Sequence, residues 1–328
     1  MPKCQHQIQI SQQINNHTWL KKLTSCIFAA IQINMNFSKI AFLGTGLMGA
    51  PMCKNILKSN LPFTVWNRSQ NKTNQLKSLG AEVANSPQEA VTEADVIITM
   101  LSDGAAVYDL IFKQKVAKYM HKGATHIDMG SIGADEAIEH SKKHTINGTN
   151  YLDAPVSGGT KGAEAGELAI MVGGNKENFE AMTNVFNSMG QSTFVGPNGC
   201  GQLSKLANQV IVAITIGAVS EALILAGEGG ADRVQVRKAL QGGFASSRIL
   251  SEHGQRMVDR AFEPGGAAKF QVKDLRNAIK ASEQLDLNLP ITKLVHKLFS
   301  DMVDSGKADM DHSGLLTHLE EINNIPIP

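Results

Sequence analysis

The apolar run Lys39-Ile40-Ala41-Phe42-Leu43 leads directly into Gly44-Thr45-Gly46-Leu47-Met48-Gly49, and this junction constrains the fold more than any other part of the chain. The run has the length and content of a buried strand. The glycines after it suit a tight turn that opens a helix. Gly44 serves the turn, Gly46 lets backbone N–H groups approach a pyrophosphate, and Gly49 lets helix pack close on strand. The helix N-terminus then faces the phosphates. A glycine-rich turn alone is a weak signal, but this one has a strand before it, a helix after it and a second strand, Phe63 to Trp66, at the expected distance. Gly44, Thr45, Gly46, Leu47, Met48 and Gly49 are therefore candidate cofactor contacts.

At the end of that second strand an NAD site usually offers an acid to the ribose hydroxyls. This chain reads Asn67-Arg68-Ser69 instead. Asn67 can bond a ribose oxygen, Arg68 can stack on adenine and pair with a 2′-phosphate, and Ser69 can donate to the same phosphate. The expectation is NADP(H) in preference to NAD(H), which stays possible; the plainer reading of the three residues is a polar surface turn. Charge supports an anionic ligand, because the net charge of +1 hides an asymmetry: no acid precedes Glu82, while Lys39, Lys54, Lys58, Arg68, Lys72 and Lys77 fall in the same stretch. These basic residues lack the aromatic interleaving of a nucleic-acid surface, so nucleic acid is not expected as a partner.

From Ser38 to about Gly196, strand-like runs alternate with helical segments, the pattern of a parallel sheet covered on both faces. The strand candidates are Lys39–Leu43, Phe63–Trp66, Asp95–Leu101, Thr125–Met129, Tyr151–Ala154, Ala169–Val172 and Thr193–Val195. Ser86-Pro87-Gln88-Glu89 marks a helix start, with a capping serine, proline at the first helical position and glutamate three residues after the cap. Beyond Gly196-Pro197-Asn198-Gly199 only helical periodicity remains, over Gln202–Glu228, Ala267–Gln284 and Ile291–Ser305. The longest apolar stretch, Val210 to Ser220, is too short for a membrane span, so a buried helix and no membrane partner are expected. Cys4, Cys26, Cys53 and Cys200 are scattered, without a C-x-x-C pair or a histidine at ligand spacing. Neither disulfides nor a metal site are indicated, and a reducing, cytoplasmic location is expected. Residues 1–34, rich in Gln, Asn and His and lacking acids, precede a second methionine, Met35. They read as an over-extended translation start, a disordered tail or a targeting peptide, the last disfavoured by the absence of arginine.

The second chemical feature is Gly201-Gln202-Leu203-Ser204-Lys205-Leu206-Ala207-Asn208-Gln209. On a helix Lys205, Asn208 and Gln209 share one face. Leu206, Val210, Ile211, Ile214 and Val219 make the rest of this helix apolar nearly all round, which predicts an enclosed helix whose polar face looks into a cavity. A lysine partly withdrawn from water loses pKa and can donate a proton near neutral pH. Leu152-Asp153-Ala154-Pro155-Val156-Ser157-Gly158-Gly159-Thr160 ends a strand in a turn whose backbone N–H groups can hold a carboxylate, with the Ser157 hydroxyl beside them. Pro155 occupies the place where a hydrolase elbow needs glycine, so Ser157 is not read as a nucleophile.

Phe42 to Met52, Asp153 to Gly159, Gly201 to Gln209 and Lys273-Asp274-Leu275 together resemble the β-hydroxyacid dehydrogenase family, over roughly Lys39 to His318. The resemblance implies an N-terminal Rossmann-type doubly wound sheet over residues 35–198. An all-helical substrate and oligomerisation domain would follow over residues 199–328, joined by a long interdomain helix. It implies hydride transfer between nicotinamide and a short hydroxy acid or semialdehyde, with Lys205 as proton donor. Ser157, Gly158 and Gly159 would hold the substrate carboxylate, and Asn208 and Gln209 would orient substrate or lysine. Met100, Leu101 and Ser131 would border the nicotinamide and its ribose, and Lys273 would reach the site from the helical domain. A homodimer or homotetramer is implied. The Lys-Leu-Ala-Asn-Gln wording resembles the tartronate semialdehyde reductases (2-hydroxy-3-oxopropionate reductases), implying reduction of tartronate semialdehyde to glycerate. Asn67-Arg68-Ser69 resembles the glyoxylate and succinic semialdehyde reductases. 3-Hydroxyisobutyrate dehydrogenase is a further alternative, ahead of an imine reductase or a catalytically silent NADP-binding protein, both of which Lys205 disfavours. Met129-Gly130-Ser131 carries one hydroxyl where the family pattern has two, and an aromatic common near Gly265-Gly266 is missing, with Phe270 the nearest.

Overall fold

The computed structural model describes residues 39–58 and 62–326. The segment 1–34, with its three readings, lies outside the described residues. Among the described residues nine strands, numbered in chain order, form one sheet in the order β3-β2-β1-β4-β5-β6-β8-β7, with β9 paired to β8. β1 (Ile40–Leu43), β2 (Phe63–Trp66), β3 (Glu82–Val83), β4 (Val96–Thr99), β5 (Thr125–Asp128) and β6 (Asn150–Asp153) run parallel. Strand order reverses between β1 and β4, which places a ligand crevice at their carboxyl ends. β1 and β4 are fully buried, as expected for strands covered on both faces.

The other end of the sheet departs from an all-parallel expectation. β7 (Val156–Ser157) and β6 both pair antiparallel with β8 (Leu168–Gly173), while β9 (Gly190–Gly196) runs parallel to β8. Residues 158–167 are too few for a parallel crossover, so the chain turns back on itself. The two-residue strands β3 and β7 are too short to leave a periodic signal in sequence. The expected helix start at Ser86 is formed: its hydroxyl accepts from the Glu89 N–H at 3.1 Å, with Pro87 in the first turn. Glu89 reaches back to the Asn85 N–H at 2.9 Å, one residue before the cap.

Four helices matter on the sheet side and beyond it: α1 (Gly49–Lys58), α2 (Ala134–Asn147), α3 (Gly159–Ala165) and the long α4 (Cys200–Glu228). After α4 come α5 (Arg233–Gln241), α6 (Arg248–Asp259), α7 (Ala268–Gln284), α8 (Pro290–Met302) and α9 (Leu315–Ile322). α5, α6 and α9 lie outside the three helical segments expected from the sequence, although Leu250, Gly254 and Met257 give α6 a buried face. Ala213, Ile216 and Leu223 of α4 are buried in one core with Phe299, Met302, Leu315 and Leu316. By length and composition α4 is apolar enough to cross a membrane, because Gly217, Ser220 and Glu221 do not interrupt it, yet it forms the axis of this helical bundle. The enclosure expected from its sequence is incomplete: Leu206 and Val219 are buried, but Ile211 is 66% and Leu225 78% exposed.

The start of α4 is fixed to the sheet by Asp153. One carboxylate oxygen accepts from the Gly199 N–H at 2.9 Å and the other from the Gln202 N–H at 3.0 Å, so the last residue of β6 caps the helix. The helix begins so close to the sheet that a Cβ on Gly201 would lie 2.4 Å from the Asp153 carbonyl oxygen and 2.6 Å from that of Met171. Gly201→Ala is therefore expected to cost about 1–3 kcal/mol in urea unfolding, the usual range for overpacking.

Candidate active site

The crevice between β1 and β4 is built by close backbone contact. Gly44 has φ +106°, and a Cβ there would lie 2.5 Å from the Met100 carbonyl oxygen and 2.9 Å from Leu101 Cδ2. A Cβ on Gly49 would lie 2.0 Å from the Gly44 carbonyl oxygen, so helix and turn interlock. Gly46 meets nothing within 4 Å, which leaves its backbone open to a ligand. Leu47 is 85% exposed, and Met48 and Gly46 are half-buried. Asn67 closes the turn from β2: its Oδ1 accepts from the Thr45 N–H at 2.9 Å, and its Nδ2 donates to the Ser69 carbonyl at 3.0 Å. One lone pair and one N–H of its amide are thus engaged inside the turn, and one of each remains for a ribose oxygen. Arg68 and Ser69 stand exposed at the rim.

Lys205, Asn208 and Gln209 share one face of α4, as their spacing predicts. Lys205 Nζ donates to Gln209 Oε1 at 2.9 Å, and Asn208 Nδ2 donates to the same oxygen at 2.9 Å. Ser157 Oγ donates to Asn208 Oδ1 at 3.4 Å, which brings the turn after β6 against the lysine helix. Gly159 is exposed with nothing within 4 Å of its Cβ position, so room remains beside Ser157 for a small acid. Burial lowers the Lys205 pKa; Asp274 opposes that effect and Lys273 adds to it.

Asp274, Gln271 and Gln202 were not singled out by sequence, and each organises the site. Asp274, 5% exposed, accepts from Gln209 Nε2 at 2.9 Å and from Ser131 Oγ at 3.0 Å. Gln271 Nε2 donates to the Gln209 carbonyl at 3.2 Å, and its Oε1 meets His312 Nδ1 at 3.3 Å. Gln202 holds the loop after β5, accepting from the Ile132 N–H at 3.1 Å and donating to the Gly130 carbonyl at 2.9 Å. Asp274 stands in the quoted Lys-Asp-Leu motif, so a signal existed for it. Gln202 likewise stands in the quoted Gly201–Gln209 motif, whereas Gln271 lies in none; the partners of both are distant in sequence, and no local pattern shows them. Lys273 reaches from α7 to the Ser131 carbonyl at 2.8 Å and the Ser102 carbonyl at 3.1 Å, linking the helical half to the loops after β4 and β5.

Behind His312, the ligand atoms of His253, Asp311 and His312 lie within 4.8 Å of one another. The Asp311 carboxylate already accepts from the Gly265, Gly266 and Ser313 N–H groups and pairs with Arg256 at 3.2 Å. That donor set braces the loop before α7.

Residues 39–196 match the family described as the NAD binding domain of 6-phosphogluconate dehydrogenase, and residues 199–319 the NAD-binding domain of NADP-dependent 3-hydroxyisobutyrate dehydrogenase. The chain is 42% identical to 2-hydroxy-3-oxopropionate reductase of Escherichia coli K12 over 87% of its own length and 98% of the relative's. The chain belongs to the β-hydroxyacid dehydrogenase family. It is 31% identical to glyoxylate/succinic semialdehyde reductase 1 of Arabidopsis thaliana, over 85% of this dehydrogenase and 97% of the relative. A Mycobacterium tuberculosis 3-hydroxyisobutyrate dehydrogenase with L-serine superposes with a TM-score of 0.80 at 28% identity, covering 86% of this chain and 99% of the other. This dehydrogenase is thus an NAD(P)-dependent enzyme with a Rossmann-type half and a helical half, and the silent-protein alternative falls away. Asp274→Asn should move the basic limb of the dehydrogenase's reduction profile to lower pH. The negative charge that keeps Lys205 protonated is removed while shape is kept; an unmoved limb in steady-state pH profiles would refute that influence.

Proposed function

We propose that the enzyme is an NADP(H)-preferring reductase of a small carboxylate-bearing semialdehyde, converting tartronate semialdehyde to glycerate, with Lys205 as proton donor. The observation that carries this reading is the withdrawn lysine, Nζ 2.9 Å from Gln209 Oε1 and joined through Asn208 to the Ser157 turn. The relationship to 2-hydroxy-3-oxopropionate reductase supports the choice of substrate.

The crevice fits a dinucleotide: the open Gly46 backbone lies between the interlocked Gly44 and Gly49, and exposed Arg68 and Ser69 stand at the rim where a 2′-phosphate would lie. Nicotinamide, when bound, supplies the hydride. Met100, Leu101 and Ser131 would border its ring and ribose, and Lys273, bound to two loop carbonyls, holds the loops of Ser102 and Ser131 in place. Ser157, Gly158 and Gly159 hold the substrate carboxylate. Lys205 then donates from Nζ to the carbonyl oxygen as alkoxide charge develops, and burial eases that donation by favouring the neutral amine left behind. Gln209 fixes the direction of Nζ, and Asn208 couples lysine to carboxylate turn. Exposed Ile211, Leu225, Ile291 and Leu294 on the helical half support assembly as a homodimer or homotetramer. Free Cys53 and Cys200 suit a reducing, cytoplasmic setting.

Lys205→Ala should lower kcat for reduction by roughly 10²- to 10⁴-fold while NADPH still quenches protein fluorescence; full turnover would end the assignment. In the wild type, reduction should fail as pH rises through a lysine pKa depressed below its ordinary value, because the ammonium is the donor. Arg68→Ala should erode the NADPH-over-NADH ratio of kcat/KM by about tenfold or more, the worth of one charge-assisted pair. A ratio near one in the wild type would refute the reading of the Asn67-Arg68-Ser69 rim. The substrate itself is tested by NADPH consumption with tartronate, methylmalonate and succinic semialdehydes and glyoxylate in parallel.

A further inference from the structure

Beneath the loop that carries Ser131, a line of buried polar side chains runs through the sheet and takes no part in the chemistry above. Thr149 Oγ1 lies 2.8 Å from His144 Nδ1, and His144 Nε2 lies 2.9 Å from His126 Nδ1. His126 Nε2 lies 2.9 Å from Thr99 Oγ1, which lies 2.9 Å from Asp128 Oδ1. Tyr151 donates its hydroxyl proton to Asp128 Oδ2 at 3.2 Å. His126, His144, Thr99 and Asp128 are all fully buried. At these distances each gap must hold one proton, since two facing lone pairs or two facing N–H groups would repel.

With both imidazoles neutral and Tyr151 donating, only two arrangements put one proton in every gap. In the first, Thr149 donates to His144, His144 from Nε2 to His126, His126 from Nε2 to Thr99, and Thr99 to an ionised Asp128. In the second, every bond is reversed. Asp128 is protonated and donates to Thr99, both imidazoles carry their proton on Nδ1, and Thr149 turns its own proton to the His144 carbonyl, 3.1 Å away. The arrangements differ by one proton, held on Asp128, and both histidines must change tautomer together when it arrives.

The carboxylate end of this line is also an anchor. Asp128 Oδ1 accepts from the Gly130 N–H at 3.2 Å, next to Ser131. An ionised oxygen is a strong acceptor there, whereas the oxygen of a protonated carboxyl that is already donating to Thr99 is a weak one. We propose that Thr99, His126 and His144 act with Asp128 as a positioning relay, in which one proton on Asp128 reverses the whole line and loosens the loop of Met129, Gly130 and Ser131 against the cofactor. The role of that loop beside nicotinamide rests on the function proposed above.

The surroundings place the titration on the carboxyl. Burial pushes Asp128 up to about 7. Burial also holds His144 at about 3 and His140 at about 4 and lowers His126, so the imidazoles stay neutral where Asp128 titrates. The other ionisable groups on the neighbouring elements are Asp153 and Tyr151 on β6, Asp95 with its partner His121 beside β4, and Asp135, Glu136, Glu139, His140, Lys142 and Lys143 on α2. Asp153 favours the neutral form of Asp128.

Nitrogen-15 NMR of histidine-labelled enzyme reads the tautomers directly. In the wild type, His126 and His144 should pass together from Nε2–H to Nδ1–H as pH falls through neutrality, and the Kd for NADPH should weaken by about three- to tenfold over the same interval. NADH measured alongside removes the titration of the 2′-phosphate from the comparison. Asp128→Asn presents an amide where the neutral acid stood. It should hold both rings as Nδ1–H at every pH, with weaker cofactor binding that no longer follows pH. Thr99→Val should uncouple the rings, leaving their tautomers indifferent to pH. Tautomers that stay fixed in the wild type, or that change independently of each other, would overturn the relay. So would cofactor binding that follows pH equally in the wild type and Asp128→Asn. Because the tautomers are read without substrate, a relay that switches in an enzyme inert to every semialdehyde would unseat the proposed function alone.

Discussion

The carboxylate of Asp153 holds the two halves of the site in register. It ends a strand that leads into the Ser157 turn, and its two oxygens cap the first turn of the helix that carries Lys205. The Ser157 turn and Lys205 are thus positioned from one residue. A carboxylate this deeply placed is costly unless its acceptor capacity is used. Burial raises its pKa, while the Gly199 and Gln202 N–H groups and Asn198 work in the opposite direction. Gln202, held by the same carboxylate through its backbone, then fixes the loop after β5 with its side chain. Three loops from three strands therefore share one point of attachment.

Around Lys205 the enzyme spends amides where it could have spent charges. Gln209, Asn208 and Gln271 connect the lysine to its surroundings, and the acid Asp274 acts one amide away. A carboxylate in direct contact would hold the ammonium charged and resist proton transfer. An intervening amide keeps the lysine oriented but leaves burial as the largest influence on its pKa. Lys273 and Asp274 are neighbours with opposite effects on that lysine, so α7 contributes both signs from successive residues.

The parts of this design that are local in the chain were legible in the sequence. The glycine turn could be read because its residues act within one strand-turn-helix unit, and the shared face of Lys205, Asn208 and Gln209 because helical spacing decides it. The Ser86 cap was legible for the same reason, although Glu89 satisfied a different N–H from the one expected. Gln271 was not legible, since a glutamine on a helix gives no sign of a partner some sixty residues away, and Gln202, although inside the quoted Gly201–Gln209 motif, gave no sign of its partner some seventy residues away. The antiparallel return of β8 followed from the shortness of one connection, which strand-by-strand reading does not weigh. The exposure of Ile211 and Leu225 shows the limit of inferring burial from hydropathy: an apolar face says what it avoids, not what covers it.

The long helix is also a lever, and its fulcrum is at the end that carries Lys205. Lys205 follows Cys200 by five residues, about 7.5 Å of rise, whereas Glu228 lies about 42 Å from the helix start. A rocking of about 5° around the pinned first turn moves the lysine backbone by only ~0.7 Å and the far end by ~3.7 Å. The helical bundle can therefore breathe, and accommodate neighbours along its outer surface, with little displacement reaching Lys205. Had the same lysine stood in the last turns of the helix, every such motion would have been magnified at its ammonium.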